Sequence, residues 1–408
     1  MLHGGMATDI RTRESPEVPP VKYLLLGAGL QGTAICHDLL HHAAGTTRLV
    51  VVDRDEERLA ALRARADDSR LETYRADVAD AAEIGPLCAA CDAAVSAVNY
   101  WFNADLAALA VRAGCHFLDL GGNNDIVARE FELDGEAREA DVAIVPDCGL
   151  APGLAGILGY WLVDGLDRAE SLQLRVGGLP AAPQPPLNYK IVFSVEGLIN
   201  EYVEPAVVIR DGKLQTVPSL TEVETIVFPE PFGELEAFQT SGGTSTLPQT
   251  LLGRVAQLDY KTIRYKGHCA QFRLLHELGL TDGAPVTVGD TVVSPRRLLA
   301  QVLTKALDLP GEDVVLALCT AEGWAGERAV RRSIRIIDHH DTEHDISAMM
   351  RMTGYPVAII AAMLASGEIT ARGALRQELA VPGDRMLAEL RRRGVVIAES
   401  ESRPGEPA

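Results

Sequence analysis

Along residues 21–146, short apolar runs alternate with segments in which leucine and alanine recur at helical spacing. Strand-like runs occupy 23–27, 49–53, 71–75, 93–98, 116–120 and 142–145, and stretches such as 56–65 and 105–113 carry the period of an amphipathic helix. Runs such as Leu49-Val50-Val51-Val52 have no polar face, so both faces of their sheet must be covered. The pattern predicts an α/β fold, with a Rossmann-like, doubly wound parallel sheet over residues 21–150.

After Pro146 the alternation stops. Prolines cluster at 180, 183, 185 and 186 and again at 229 and 231, and strands such as 331–338 alternate with period two. This predicts an α+β substrate and dimerisation domain with an antiparallel sheet over 151–350. An apolar helical stretch at 353–364 belongs to a C-terminal segment, 351–398, expected to return to the first domain. Residues 1–20 read as a disordered leader and 399–408 as a polar tail. No window reaches the roughly eighteen consecutive apolar residues of a membrane span, and the leader lacks the apolar centre of a signal peptide. No internal repeat is present.

The first strand runs into Gly27-Ala28-Gly29-Leu30-Gln31-Gly32 and then into a helical pattern at 33–40. In such a loop the first glycine makes the tight turn, the second lets the backbone approach a pyrophosphate, and the third lets helix and strand pack closely. The helix N-terminus offers free N–H donors to the phosphates. The next strand ends at Asp53, 21 residues beyond the last glycine. A carboxylate there bonds the ribose hydroxyls and repels a 2′-phosphate, so NAD is the expected cofactor, with Arg54 leaving room for NADP. The candidate cofactor residues are Gly27, Gly29, Leu30, Gln31, Gly32, Asp53, Arg54, Val98 and Asn99.

Ligands bind outside the carboxyl ends of parallel strands. The loops Asn99-Tyr100-Trp101-Phe102 and Asp119-Leu120-Gly121-Gly122 should therefore face the nicotinamide. Three successive aromatics suit the wall of a dry pocket, or a hydrophobic cluster at a domain interface. Asp119, at the end of an apolar strand, needs a partner; helix capping is its plainer account.

Composition narrows the chemistry. At 408 residues, two domains suffice. A net charge of −19 argues against nucleic acid and anionic membrane as partners. Seven scattered cysteines, an odd number, suit a reducing cytoplasm rather than a disulfide framework. Cys88 and Cys91 have CxxC spacing but no second ligand pair, so no metal is expected. Only six of the 38 basic residues are lysine. Half of them, Lys190, Lys261 and Lys266, fall in two polar segments expected to face the cleft. One holds Asn188, Tyr189, Lys190 and Glu196. The other holds Lys261, Arg264, Lys266 and His268, after the small-residue loop of Thr240 to Thr244. If the strand continues, Arg264 and Lys266 share a face, making either an anion pocket or a solvated, ion-paired strand.

At these residues the chain resembles the saccharopine dehydrogenase family, and within it the lysine 6-dehydrogenases, over about 21–395. The resemblance rests on LLLGAGLQG, FLDLGG, PDCGLAPG, PPLNYKIVFSVEGLINEYVEPAVVIRDGK, EAFQTSGGTSTL, YKTIRYKGH and TGYPVAIIAAMLASGEITARG. It implies NAD-dependent oxidative deamination of the lysine ε-amine to 2-aminoadipate semialdehyde, which cyclises to 1-piperideine-6-carboxylate. It also implies a cleft between the two domains and a homo-oligomer. Within the class, a saccharopine or carboxynorspermidine dehydrogenase is the rival, and outside it a homospermidine-synthase-like transferase.

The ε-carbon gives up hydride only to a neutral amine's push, and with a pKa near 10.4 only about one lysine amine in 2500 is neutral at pH 7. The site must desolvate the amine or offer a base. Asp119, Glu196 and Lys190 are the candidate bases, and His268 or a carboxylate is expected to activate water. Arg264 and Lys266 are expected to hold the α-carboxylate, with Asn99, Tyr100, Asn188, Tyr189 and Thr240 shaping the pocket.

Overall fold

In this computed structural model, residues 19–404 are described. The leader expected at 1–20 lies outside them except for its last two residues, as do the last four residues of the expected tail. In chain order the strands are β1 (Val21–Leu26), β2 (Thr46–Asp53), β3 (Leu71–Arg75), β4 (Ala93–Ser96), β5 (His116–Asp119) and β6 (Ala143–Val145). There follow β7 (Arg168–Pro180), β8 (Ala206–Arg210), β9 (Lys213–Val217), β10 (Glu224–Phe228), β11 (Gly233–Gln239) and β12 (Gln257–Arg264). A separate hairpin pairs β13 (Val286–Val288) with β14 (Thr291–Val293), and the chain ends with β15 (Asp313–Ala325), β16 (Arg328–His339), β17 (Gly373–Ala374) and β18 (Val396–Ser402).

The first sheet has the order β17-β6-β5-β4-β1-β2-β3, parallel throughout. Its apolar strands bury both faces, as their unbroken hydrophobicity requires. Tyr23, Leu25, Leu49 and Val51 pack into one core layer, and Leu24, Leu26, Val50 and Val52 into another. The seventh strand, β17, comes from the far end of the chain and pairs with β6.

The second sheet runs β10-β11-β12-β7-β15-β16-β18, with the β8–β9 hairpin attached to β12. It is antiparallel except that β12 lies parallel to β7, so the expected antiparallel sheet is in fact mixed. The exception follows from the connection: β8 to β11 intervene between the two neighbours, a crossover rather than a hairpin.

Helix Ala348–Ala365 joins the two halves. Its N-terminus is capped by Ser347, whose side chain accepts the Met350 N–H. By length and composition it is apolar enough to cross a membrane, yet 83% of it is buried within the fold. It lies on helix Leu30–His41, and a Cβ added at Gly354 would sit 3.0 Å from the Ala34 Cβ. Residues 399–402, expected within a tail, instead form the second half of β18 on the edge of the sheet. That segment lacks an apolar face and pairs by charge: the Arg332 guanidinium meets Glu401 at 2.9 Å, and Arg328 contacts the same carboxylate.

Candidate active site

β1 delivers the chain into the glycine turn. Gly27 sits at φ 109°, and a Cβ on Gly32 would come within 2.0 Å of the Gly27 carbonyl oxygen. Over Gly29 a Cβ would meet only Arg58 Nη1, at 3.8 Å, leaving room for a ligand. Helix Leu30–His41 begins there without a side-chain cap, so its first N–H donors are free for phosphate oxygens. Leu30 beside them is 64% exposed. Asp53, ending β2, accepts the Ala28 N–H at 2.8 Å and the Asp55 N–H at 2.9 Å. Each oxygen keeps a lone pair for a ribose hydroxyl. The exposed Arg54 stands next to it, its carbonyl bonded by Arg75. The open space over Gly29, the uncapped helix and the oriented carboxylate fit a pyridine dinucleotide.

From this turn a cavity of about 780 Å³ opens between the carboxyl ends of β4, β5 and β6 and the face of β7 and β12. Gln31, Val98, Asn99 and Tyr100 line the cofactor side, and the Tyr100 ring lies against Gly122, where a Cβ would be 3.0 Å from Tyr100 Cδ1. Trp101 reaches the mouth, half exposed, whereas Phe102 packs into the core layer behind. The strand period of β12 turns Tyr260, Thr262 and Arg264 into the cavity.

Arg264 is held from behind by a directed chain. His268 Nδ1 lies 3.0 Å from the Leu187 carbonyl, which can only accept, so this nitrogen is the donor and Nε2 the acceptor. Tyr202 therefore donates to Nε2 at 3.0 Å and accepts from Arg264 Nε at 2.9 Å. The Tyr189 ring stacks on the guanidinium at 4.8 Å. Among the described residues Arg264 makes no salt bridge, although it is 3% exposed. A buried guanidinium without a salt-bridge partner on a cavity wall has the chemistry to seat an anion.

Two carboxyls share the cavity with it. Burial pushes Glu201 up to about 7 against the opposing charge of Arg264. Burial and the Asp119 charge push Asp147 up to about 7, opposed by a hydrogen bond from the Ser245 hydroxyl. Both can take or release a proton near neutrality.

Several expected site residues stand elsewhere. Lys190 bonds the Gly311 carbonyl and does not line the cavity. Lys266 pairs on the surface with Glu234, and Lys261 is buried in an ion network with Glu224 on the opposite face of β12. The expected lysine-rich anion pocket is therefore not formed, because β12 stops at Arg264 and Gly267 turns the chain at φ 94°. His268 is neutral, held down to about 3 by burial, and lies behind Tyr202 without lining the cavity. Asn188 does not line the cavity, and Thr240 is bonded to the Thr262 hydroxyl behind the wall. Asp119 is buried beneath the Gly121 turn, also off the cavity surface. Glu196 stays at the rim, paired with Arg296 at 3.1 Å.

Sequence reasoning missed Glu201, Asp147 and Arg296. Asp147 follows the sixth strand of a parallel sheet, where the carboxyl-end rule could have found it. Glu201 shares helix Val195–Val203 with the apolar Leu198, Ile199 and Tyr202, but only the fold shows which way that helix faces.

A model of the family described as Saccharopine dehydrogenase NADP binding domain matches residues 23–145, and one described as Saccharopine dehydrogenase C-terminal domain matches 149–395. The chain is 24% identical over 248 residues to the NADP(+), L-glutamate-forming saccharopine dehydrogenase of Pyricularia oryzae, covering 59% of this chain and 54% of that one. It is 27% identical over 208 residues to the corresponding Saccharomyces cerevisiae protein, covering 48% and 44%. The chain thus spans about half the length of these curated relatives. The solved apo saccharopine dehydrogenase (L-Glu forming) of S. cerevisiae superposes with a TM-score of 0.78 at 20% identity, over 94% of this chain and 100% of that one. The homospermidine synthase of Legionella pneumophila in complex with NAD superposes with a TM-score of 0.64 at 10% identity, over 95% and 94%. Both likenesses are of fold.

Proposed function

The chain belongs to the saccharopine dehydrogenase family, and from that premise we propose that it is a NAD-dependent L-lysine 6-dehydrogenase. The observation that carries this reading is the charge inventory of the cavity. Arg264 is its one unpaired cation among the described residues, since Arg296 already serves Glu196, whereas Asp147, Glu196, Glu201 and Glu204 all line it. Saccharopine brings three carboxylates and would leave most of them facing acids. L-lysine brings one carboxylate and two amines, which suits one guanidinium among several carboxyls.

In this reading Arg264 holds the α-carboxylate, its guanidinium backed by the Tyr189 ring and aimed by Tyr202. Glu201 takes the proton from the ε-ammonium, giving the neutral amine that oxidation requires. Bound NAD supplies the two-electron acceptor for the hydride leaving the ε-carbon. Asp147 then draws a proton from water as it adds to the substrate imine, and the resulting aminoalcohol expels ammonia. Lysine, NAD and water thus give the semialdehyde, NADH, ammonium and a proton. Asp53, which would crowd a 2′-phosphate, supports NAD over NADP. The reading includes a cytoplasmic setting, supported by seven free and buried cysteines. It also includes a homo-oligomer, supported by the exposed Val286, Val288, Val292, Leu298 and Val302.

The test is NADH formation over lysine, ornithine, saccharopine and diamines, with ammonia measured alongside and NADP run in parallel. Lysine should give NADH and ammonia in equal amounts. A signal from saccharopine with none from lysine would overturn the assignment, and hydride returned within one cycle, without net NADH, would indicate a transferase.

A further inference from the structure

Beneath the Gly121 turn two carboxyl groups meet in a buried site. Asp119 ends β5 and Glu130 belongs to helix Asn124–Phe131, and each is 0% exposed. Asp119 Oδ1 accepts the N–H groups of Gly121 at 2.6 Å and of Asp147 at 3.2 Å. Its Oδ2 and both Glu130 oxygens meet no donor from any other group among the described residues. The two side chains are within hydrogen-bonding reach of one another.

Acceptor oxygens buried without a donor are costly, and two like charges side by side in such a place are costlier. A single shared proton relieves both penalties. Asp119 already receives two amide hydrogen bonds that favour its charged form, and Glu130 receives none. The proton therefore resides on Glu130. We propose that Glu130 is a neutral acid in the folded protein and acts as a positioning residue, donating its O–H to Asp119 Oδ2.

Through Asp119 this bond reaches the cavity wall at two points. One is the Gly121–Gly122 turn, against which Tyr100 packs on the cofactor side. The other is the backbone of Asp147, held at φ 59° with its carboxyl lining the cavity. Burial raises both carboxyl pKa values, and the Asp119 charge raises that of Glu130 further. Asp147 and Arg129 are the other charged groups acting on Glu130, the first in the same direction and the second against it.

Only the turnover arm of the test rests on the proposed function. Infrared difference spectra without substrate, at about pH 9 where ordinary carboxyls are ionised, should show a neutral carboxylic-acid carbonyl band that E130Q lacks. E130L removes the donor at similar bulk, and kcat should fall about tenfold or more from misplaced groups, with KM changing less. E130Q restores a donor without a titratable proton and should recover most of that loss. Absence of the band in the wild type, or E130Q as slow as a folded E130L, would overturn the proposal. So would an E130L with wild-type kcat. If E130L does not fold, the infrared comparison of wild type and E130Q decides. If lysine is not the substrate, the infrared result is unaffected.

Discussion

Ionising Glu201 costs the folded protein free energy that the unfolded chain does not spend, because burial holds its pKa at about 7 against an ordinary 4.5. Between those values the folded state binds the proton more tightly, so this residue's contribution to stability is lost as pH rises through the window. E201Q removes the titration at nearly constant shape. Its Tm should exceed that of the wild type at about pH 8 and match it at about pH 4, below the unfolded pKa. An equal difference at both pH values would contradict the buried, titrating carboxyl. The same variant should lose about a hundredfold in kcat/KM, the usual scale for a general base. In the wild type kcat/KM should climb as pH passes 7 and continue upward toward the amine's own pKa; a flat profile would count against proton removal as a requirement.

Helix Ala348–Ala365 presses on helix Leu30–His41 through Gly354, and the same second helix opens at the dinucleotide turn. G354L should therefore cost about 1–3 kcal/mol in stability from overpacking. It should also weaken NADH binding, read from protein fluorescence; an unchanged dissociation constant would mean that the two helix ends are uncoupled. At this scale the legibility of the chain divides by range. The glycine turn, the apolar strands and Asp53 were readable because each is specified within a few residues. Arg264 was readable too, as the arginine in the short basic run of 261–266. Lys266 was not, because the strand ends at Arg264 instead of continuing to it and the chain turns at Lys266–Gly267. The Glu401 strand was missed because its arginine partners lie about seventy residues upstream. Glu201 and Asp147 came into one cavity only through the packing of a helix in one domain against a strand end in the other.

The net charge of −19 surrounds a cavity that is itself mostly acidic. Added salt should screen the attraction for a cationic amine, lowering kcat/KM for lysine by about twofold to fivefold from low to high ionic strength. The kcat/KM for the anionic dinucleotide should rise instead, as its repulsion from the acidic protein is screened, and parallel trends for both would point away from electrostatic steering. The two-residue strand β17 bears on how the molecule is made. Its partner β6 is finished by residue 145, yet β17 arrives only at 373. On a ribosome adding about 5–20 residues per second, the nucleotide-binding sheet waits on the order of ten seconds or more with an edge uncovered. Until then a nascent chain carries the whole glycine turn but not the edge strand of its sheet, so the domain that is begun first is completed only after β7 to β16 have been made.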